Sequence, residues 1–338
     1  MTVSTRLIDT RSFAEQMRAK IIRPATAEVL LSRLKASDQE GDLTKPPNCA
    51  GLGRIRHFRR DTAEGWPPNP LPIDPACAAL GVKAGDLLTA QVFQNAACAW
   101  RCWYCFVPFN MLAGDERRGR WITADELVSL YAAEPDAPRV VDLSGGSPDL
   151  TPEWVVWVMD ALERAGLSER TYLWSDDNLS TDYIFTKLSP AQRKRLETYG
   201  NYGRVCCFKG YDEASFAFNT GAEPGGFQRQ FELFSRYLDL GLDLYGYVTL
   251  TGPDVAGARA AVFDFVDRLQ AVAEQLPLRV VPLKVAPFGP MLRRSELSER
   301  AAAWEVQEEA IGAWNETIAS RFAPLLRSQP ITAITLRP

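Results

Sequence analysis

Cys98-Ala-Trp-Arg-Cys102-Trp-Tyr-Cys105 places three of the seven cysteines of the chain in one short stretch, with the spacing C-x3-C-x2-C. A structural zinc site takes four protein ligands, and a closed iron–sulfur cluster takes four cysteines. Three thiolates on a four-iron cluster leave one iron able to bind another molecule. The stretch therefore predicts a metal centre with one open position.

The composition narrows the classes of protein to consider. The chain has 338 residues, 46% hydrophobic and 24% charged, and a formal net charge of -4. An acidic chain lacks the basic surface of non-specific nucleic-acid binding, and no apolar run is long enough for a membrane span. Residues 1–20 lack the apolar core of a signal peptide. We expect a cytoplasmic protein with reduced thiols, in which clustered cysteines are metal ligands before they are disulfides.

A single histidine, His57, disfavours two further chemistries. Ser-His-Asp hydrolysis and multi-histidine metal sites both need histidine at defined positions. His57 lies in the arginine-rich stretch 54–60, and we interpret it as a surface or packed residue. Neither a hydrolase nor a histidine-bound metal is expected.

Short strands alternate with helices from residue 87 onward, which predicts βαβ units and a parallel sheet. Six such units favour a barrel or partial barrel. The predicted strands are 87–93, 139–144, 171–175, 204–208, 243–250 and 279–285. The predicted helices are 123–133, 152–165, 190–198, 226–239 and 256–275.

The chain divides into three predicted parts. Residues 1–86 form an N-terminal extension, helical over 1–37 with a break at Pro24 and irregular and proline-rich over 38–86. Residues 87–290 form the barrel. Residues 291–338 hold a long helix, 295–326, and a short strand, 331–336. Two further cysteines, Cys49 and Cys77, are interpreted as small apolar residues. Cys206 and Cys207 are adjacent on the fourth strand and point to opposite faces, so they cannot easily ligate one metal.

Polar and glycine-rich groups follow each predicted strand, at the end where parallel barrels place their functional groups. The cysteine stretch follows the first strand, and Gly145-Gly146 follow the second. Alone, each group has an ordinary interpretation as a turn, a helix cap or a solvated loop. Asp176 follows the third strand and Lys209 the fourth.

Taken together, these features resemble the radical S-adenosylmethionine enzymes. The resemblance rests on Cys98, Cys102 and Cys105, on Tyr104 as the aromatic residue before the last cysteine, and on Gly145-Gly146-Ser147-Pro148. It covers about residues 87–290. It implies an α/β fold, a partial (β/α)6 barrel that holds one [4Fe–4S] cluster on the three cysteines, with S-adenosylmethionine chelating the fourth iron.

The same resemblance assigns cofactor contacts. Tyr104 would lie near the adenine through its backbone, and residues 285–287 would close on it. Gly145, Gly146 and Ser147 would receive the methionyl amino group. Ser175 and Asp176 would face the ribose or the methionyl end, and Lys209 resembles a lysine that meets the cofactor carboxylate in glycyl-radical activating enzymes. The family often has glutamate where this chain has Ser147, and a hydroxyl is a weaker acceptor for an ammonium.

The implied reaction is reductive cleavage of S-adenosylmethionine to a 5′-deoxyadenosyl radical, which takes hydrogen from a small-molecule or peptide substrate. The implied electron donor is a partner such as flavodoxin or ferredoxin. No catalytic side chain, subfamily or oligomeric state is assigned, and no auxiliary-cluster domain is expected, because residues 208–338 hold no cysteine.

Three alternatives stay open. Lys209 suggests an activase that installs a glycyl radical in a partner protein. An RNA-modifying role is disfavoured by the sequence pI of about 5.4. A non-catalytic binding module stabilised by zinc needs a fourth ligand, and none lies near the three cysteines in sequence.

Overall fold

The computed structural model describes residues 7–287, 289–292 and 302–337. The strands are β1 (Ile22–Arg23), β2 (Glu28–Ser32), β3 (Gly53–Arg59), β4 (Leu87–Phe93), β5 (Gly119–Thr123), β6 (Val140–Leu143), β7 (Tyr172–Asp177), β8 (Tyr202–Phe208), β9 (Leu244–Thr249) and β10 (Val280–Leu283). The helices are α1 (Thr10–Ala19), α2 (Ile73–Ala79), α3 (Ala124–Ala132), α4 (Pro152–Arg164), α5 (Tyr183–Thr186), α6 (Pro190–Thr198), α7 (Glu213–Thr220), α8 (Gly226–Asp239), α9 (Ala258–Val272), α10 (Gly289–Leu292), α11 (Ala302–Arg321) and α12 (Pro324–Arg327). No helix among these residues is long and apolar enough to cross a membrane.

Seven strands form one sheet in the order β10-β9-β8-β7-β6-β4-β3. From β4 to β10 all neighbours are parallel, and β3 pairs antiparallel with β4 at the edge. Helices connect the successive parallel strands, as parallel pairing requires. The sheet curls into a half-barrel, which is the coarse form of the predicted fold.

The two faces of the sheet differ because successive strand residues point to opposite sides. We call the outer face the one that packs against α8 and α9, where Phe208 meets Phe234 and Phe265 at ring-centroid distances of 5.7 Å. The opposite, inner face carries Trp174 and Tyr247, which belong to a separate apolar cluster. The inner face is the concave side of the half-barrel.

The predicted boundaries agree closely where the chain carries start signals. The side chain of Thr123 accepts a hydrogen bond from the backbone N–H of Glu126 at the start of α3, and Ser189 caps α6 with a reciprocal bond to Gln192. α4 begins with Pro152 at its first position, which suits a residue without an N–H donor. All six predicted parallel strands are present.

The N-terminal prediction was wrong in part. Within residues 7–37, only Thr10–Ala19 forms an α-helix, and Pro24 lies in the connection of the antiparallel hairpin β1–β2. β2 pairs with β5 in a small three-stranded sheet, and its Leu30 carbonyl accepts from Ala96 N–H at 3.0 Å. The extension thus supports the chain that leads into the cysteines.

The segment predicted to be irregular contains β3 and α2. Helix α2 and the residues before it close the base of the inner face, where the Leu71 carbonyl accepts from Tyr247 Oη at 3.1 Å. Cys77 is buried in this layer. The N-terminal extension therefore completes the half-barrel with an edge strand and a base.

The C-terminal part differs from its prediction at the end. Ile331–Ala333 forms a 3-10 turn in place of the predicted strand, since its backbone turns after Pro330 and pairs with no other strand among the described residues. Residues 295–301 of the predicted long helix lie outside the described residues, and α11 covers 302–321. Gln307 of α11 accepts from the N–H of Val285 at 2.7 Å and donates to its carbonyl at 3.1 Å, beyond β10.

Candidate functional site

The cysteine loop begins directly after β4, at the carboxyl end of the first parallel strand. Cys98 and Cys102 are buried, Cys105 is half-buried, and none of the three is in a disulfide. Burial raises the pKa of the Cys102 thiol to about 12, and the neighbouring Cys98 and Cys105 add to the shift. The three thiols therefore lie close enough to influence one another.

Cys98 is held from the second and third parallel strands. Its Sγ lies 3.2 Å from Ser147 Oγ, and Asn178 Nδ2 donates to the same hydroxyl at 2.8 Å. Asn178 Nδ2 also approaches Cys98 Sγ at 3.9 Å. The loops after β6 and β7 thus orient the first cysteine through one hydroxyl.

Gly145 and Gly146 let the loop after β6 approach the cysteine loop closely. Their φ angles are +91° and +70°, in the left-handed region that favours glycine. A Cβ on Gly146 would lie 1.9 Å from Asn95 Oδ1 and 2.6 Å from the Ala97 carbonyl. Asn95 meanwhile donates to the Ser147 carbonyl at 2.7 Å and accepts from its N–H at 3.1 Å. Gly146 is required by this contact between the two loops.

The other side of the cysteine loop is attached to α7, which the sequence analysis did not predict. Trp103 Nε1 donates to Asn219 Oδ1 at 3.0 Å, and the Arg101 N–H donates to the Thr220 carbonyl at 3.0 Å. The Arg101 guanidinium donates to the Cys98 carbonyl at 3.0 Å. These bonds fix the loop backbone without using any thiol. The capping box Asp212-x-x-Ser215 was the available signal for α7.

Lys209 and Tyr104 lie beside the cysteine loop. Burial alone would lower the pKa of Lys209, but Cys207, Tyr104, Cys102 and Cys98 outweigh it and raise the pKa well above its usual value. Tyr104 Oη lies 3.0 Å from Thr249 Oγ1, so its ring reaches across to the end of β9. The structure brings both predicted residues to the cysteines.

Asp176 and Ser175 point in opposite directions, as neighbouring strand residues do. Asp176 accepts from Ser144 Oγ at 2.5 Å, and burial raises the pKa of its carboxyl despite Arg56 nearby. Ser175 Oγ lies 2.8 Å from Tyr202 Oη, a buried contact on the outer face. The two predicted cofactor contacts therefore lie on opposite faces of the sheet.

A buried ion pair on the outer face stabilises the turn that carries Asn178. Arg204 Nη1 donates to Asp177 Oδ2, and both side chains are almost fully buried. Asp177 Oδ1 accepts from the N–H of Leu179 at 2.6 Å, and Leu179 has a φ of +55°. This bond holds the turn that directs Asn178 toward Ser147.

A further charged group lies on the inner face and was missed by the sequence analysis. Arg54 and Arg56 of β3 face Asp142 of β6, with an Arg56–Asp142 nitrogen–oxygen distance of 3.8 Å. Burial lowers the pKa of Arg54 to about 10 and raises the pKa of Asp142 to about 8. Asp176 adds to the Asp142 shift. The alternation Arg54-Ile-Arg56 was the one signal that a strand presented arginines to a single face.

Within the described part of the chain, no three histidine, cysteine, aspartate or glutamate side chains are grouped so as to hold one metal ion. The three cysteines are near neighbours, since Cys98 and Cys105 both raise the pKa of Cys102, but they do not form such a group. A site for a single ion needs its ligands around one centre, whereas in a metal cluster each thiolate binds a different metal atom.

The chain shows only limited similarity to known proteins. No protein-family model matches the chain, and no curated protein matches it. The crystal structure of Streptococcus suis SuiB bound to precursor peptide SuiA aligns with a TM-score of 0.38 and 16% identity, over 52% of this chain and 36% of that chain. SuiB bound to S-adenosylmethionine aligns with the same TM-score and identity over 37% of its chain. At this similarity the alignments assign no activity, substrate or partner.

Proposed function

We propose that the chain is a radical S-adenosylmethionine enzyme with a single [4Fe–4S] cluster, built on a partial (β/α)6 barrel. The observation that carries the proposal is the buried three-cysteine loop at the end of β4, joined by Gly146, Ser147 and Lys209 from neighbouring strand ends. Six sequential parallel strands bring these groups to one edge, where such folds place their chemistry.

The cysteines fit a cluster better than a single ion. In a cubane cluster each thiolate binds a different iron, so the three sulfurs need not converge on one point. A zinc ion needs its ligands around one centre, and the described residues contain no such group. The raised pKa of Cys102 means that its thiolate needs a cation beside it, which an iron atom would supply.

Cys98, Cys102 and Cys105 would hold the cluster, and the loop contacts divide the remaining tasks. Ser147 and Asn178 place hydrogen-bonding groups against the Cys98 sulfur, which orients it as a ligand. When bound, the cluster and S-adenosylmethionine supply reductive carbon–sulfur cleavage and hydrogen abstraction from the substrate.

We assign the cofactor contacts to the chain's own groups as follows. Lys209 would offer a cation to the methionyl carboxylate, and the loop at Gly145 and Gly146 would receive the methionyl amino group. Tyr104 and residues 285–287 would border the adenine. Asp176 remains a candidate for the ribose or the methionyl end, while Ser175 is left out.

The aromatic side chains beside the loop exclude water from the same edge. Trp103 packs against Trp304 and Phe218 at ring-centroid distances of 5.4 Å and 5.9 Å. A dry site protects a reactive radical from solvent. The substrate would be a small molecule or a peptide, and reduction would need a donor such as flavodoxin or ferredoxin.

The test is anaerobic reconstitution followed by iron and zinc analysis. We expect about four irons per chain and a brown protein. With dithionite and S-adenosylmethionine, 5′-deoxyadenosine should form and should be lost in Cys102→Ala. Cys77→Ala is the matched control, because that thiol packs in the base layer away from the loop. A colourless zinc protein, or product from Cys102→Ala, would overturn the proposal.

A further inference from the structure

The inner face below the cysteine loop carries charged side chains whose hydrogen-bonding capacity is not used. Arg54 Nε and Nη2 and both carboxylate oxygens of Asp142 are buried and have no hydrogen-bond partner among the described residues. Arg54 is 8% exposed and Asp142 is 0% exposed. Folded proteins satisfy nearly all such groups, because a buried polar group without a partner loses its hydrogen bonds to water and gains none in return.

The unpaired atoms of Arg54 specify what would bind them. Nε–H and Nη2–H lie along one edge of the guanidinium plane and form the two-donor fork that matches a carboxylate. The flat side of the same guanidinium lies over Phe106, 4.9 Å from the ring centroid, which fixes its orientation. Phe106 follows Cys105 directly, so this fork lies close to the cysteine loop.

The neighbouring charges restrict the anion. Asp142 and Asp176 both act electrostatically on Arg54, and Asp142 lies within 3.8 Å of Arg56. A doubly charged phosphate would be repelled by the two carboxylates here. A ligand carboxylate carries a single negative charge, and a cation on the same ligand offsets the repulsion. An ionised Asp142 has two acceptor oxygens, and a protonated amine has three donors to satisfy them. An ammonium beside Asp142 would favour this ionised form and lower its raised pKa.

Two further residues place the group in the mouth of the half-barrel. Lys209 lies close enough to Asp176 to lower the pKa of its carboxyl, and Asp176 in turn raises the pKa of Tyr247 on β9. The Arg56 side chain is 36% exposed, so solvent reaches the group at Arg56, whereas Arg54 and Asp142 are buried beside it. Arg54 and Asp142 come from β3 and β6, on either side of β4, with Val92 between them in the register.

We propose that this inner face binds a substrate with an α-amino acid group, in which Arg54 holds the carboxylate and Asp142 holds the adjacent ammonium. The inference rests on the proposed function and names the substrate class of that same site. A free amino acid and the C-terminal residue of a short peptide share the carboxylate, but only the free amino acid offers both charges on one carbon.

The test uses the reconstituted full chain with S-adenosylmethionine and two probes, the free L-amino acids and the same amino acids as C-terminal amides. Binding is measured by isothermal titration calorimetry. We expect at least one free amino acid to bind, its amide to bind at least tenfold more weakly, and Arg54→Lys to show the same loss, since lysine cannot reproduce the two-donor fork.

Arg59→Lys is the control, because Arg59 is exposed on the same strand and points to the other face. Circular dichroism establishes that the variants are folded. Asp142→Asn should weaken the amino acid more than the corresponding deaminated acid. In addition, fully deuterated amino acids should transfer deuterium to 5′-deoxyadenosine, detected as a mass increase.

The outcomes separate the two proposals. If wild type forms 5′-deoxyadenosine but binds no free amino acid, or binds acid and amide equally, the substrate proposal is refuted while the proposed function stands. Preferential binding of dipeptides with a free carboxylate would refute the free amino acid as the substrate. Failure of wild type to form a cluster or 5′-deoxyadenosine refutes the proposed function itself.

Discussion

Replacing Gly146 with alanine tests whether the two loops of the site depend on a close backbone approach. The added Cβ would lie 1.9 Å from Asn95 Oδ1 and 2.6 Å from two backbone carbonyls, those of Asn95 and Ala97. Backbone atoms cannot move aside as the end of a flexible side chain can. The variant must therefore separate the loop after β6 from the cysteine loop.

The magnitude follows from two contributions. An alanine at positive φ costs about 1–2 kcal/mol. Separation of the loops also breaks both Asn95–Ser147 hydrogen bonds, each worth about 1 kcal/mol. We expect Gly146→Ala to lower the free energy of unfolding by about 3–4 kcal/mol, measured by urea titration with tryptophan fluorescence.

Gly166→Ala is the matched control. Its φ is +68°, close to the +70° of Gly146, and an added Cβ meets nothing within 4 Å. Only the cost of the left-handed conformation, about 1–2 kcal/mol, applies there. In Gly146→Ala, Cys98 should also react faster with iodoacetamide in the apo protein, because it loses Ser147. Equal destabilisation by the two variants, with unchanged Cys98 labelling, would refute the steric argument.

Two other predictions concern buried charges. Arg204→Met leaves Asp177 buried without its partner and should lower the free energy of unfolding in urea by about 3–5 kcal/mol. Adding Asp177→Asn should recover more than half of this loss. A double variant that recovers none of the loss would contradict the pairing. Asp142 has its pKa raised from 3.8 to about 8, so the folded state holds a proton that the unfolded state releases, and stability falls as pH rises through this window. Asp142→Asn should remove that fall, so the free energy of unfolding of the variant relative to wild type should rise by a few kcal/mol between pH 5 and pH 8. The control is Asp264→Asn, at an exposed position. A difference between Asp142→Asn and wild type that does not change with pH would disprove the assignment.

The parallel sheet could be predicted because its strands are buried on both faces. Such strands are nearly continuous runs of apolar residues, as in the Val140–Leu143 strand, and helix starts such as Ser189-Pro190 mark the connections. The cysteine loop and Gly145-Gly146 were visible because their spacing is local. These features depend on neighbours in sequence, which the sequence displays directly.

The rest depends on contacts distant in sequence. β3 was predicted to be irregular because it lies in a proline-rich segment. Its inner-face residues Arg54 and Arg56 also give the strand no apolar alternation that would have marked it. Asn178 could not be selected from 176–178, since only the fold brings it to Ser147, 31 residues away. The hairpin at Pro24 was interpreted as a break between two helices, because the mixture of charged and apolar residues there fits the helical period as well as the strand period.

Gln307 has a consequence for how long chains could reach the half-barrel. An exposed sheet edge normally invites an added strand, because its main-chain N–H and C=O groups are free. At Val285 one glutamine amide already occupies both groups, at 2.7 Å and 3.1 Å. A polypeptide arriving just beyond β10 finds that backbone position taken. An extended chain therefore cannot continue the sheet through the backbone groups of Val285 unless Gln307 moves away.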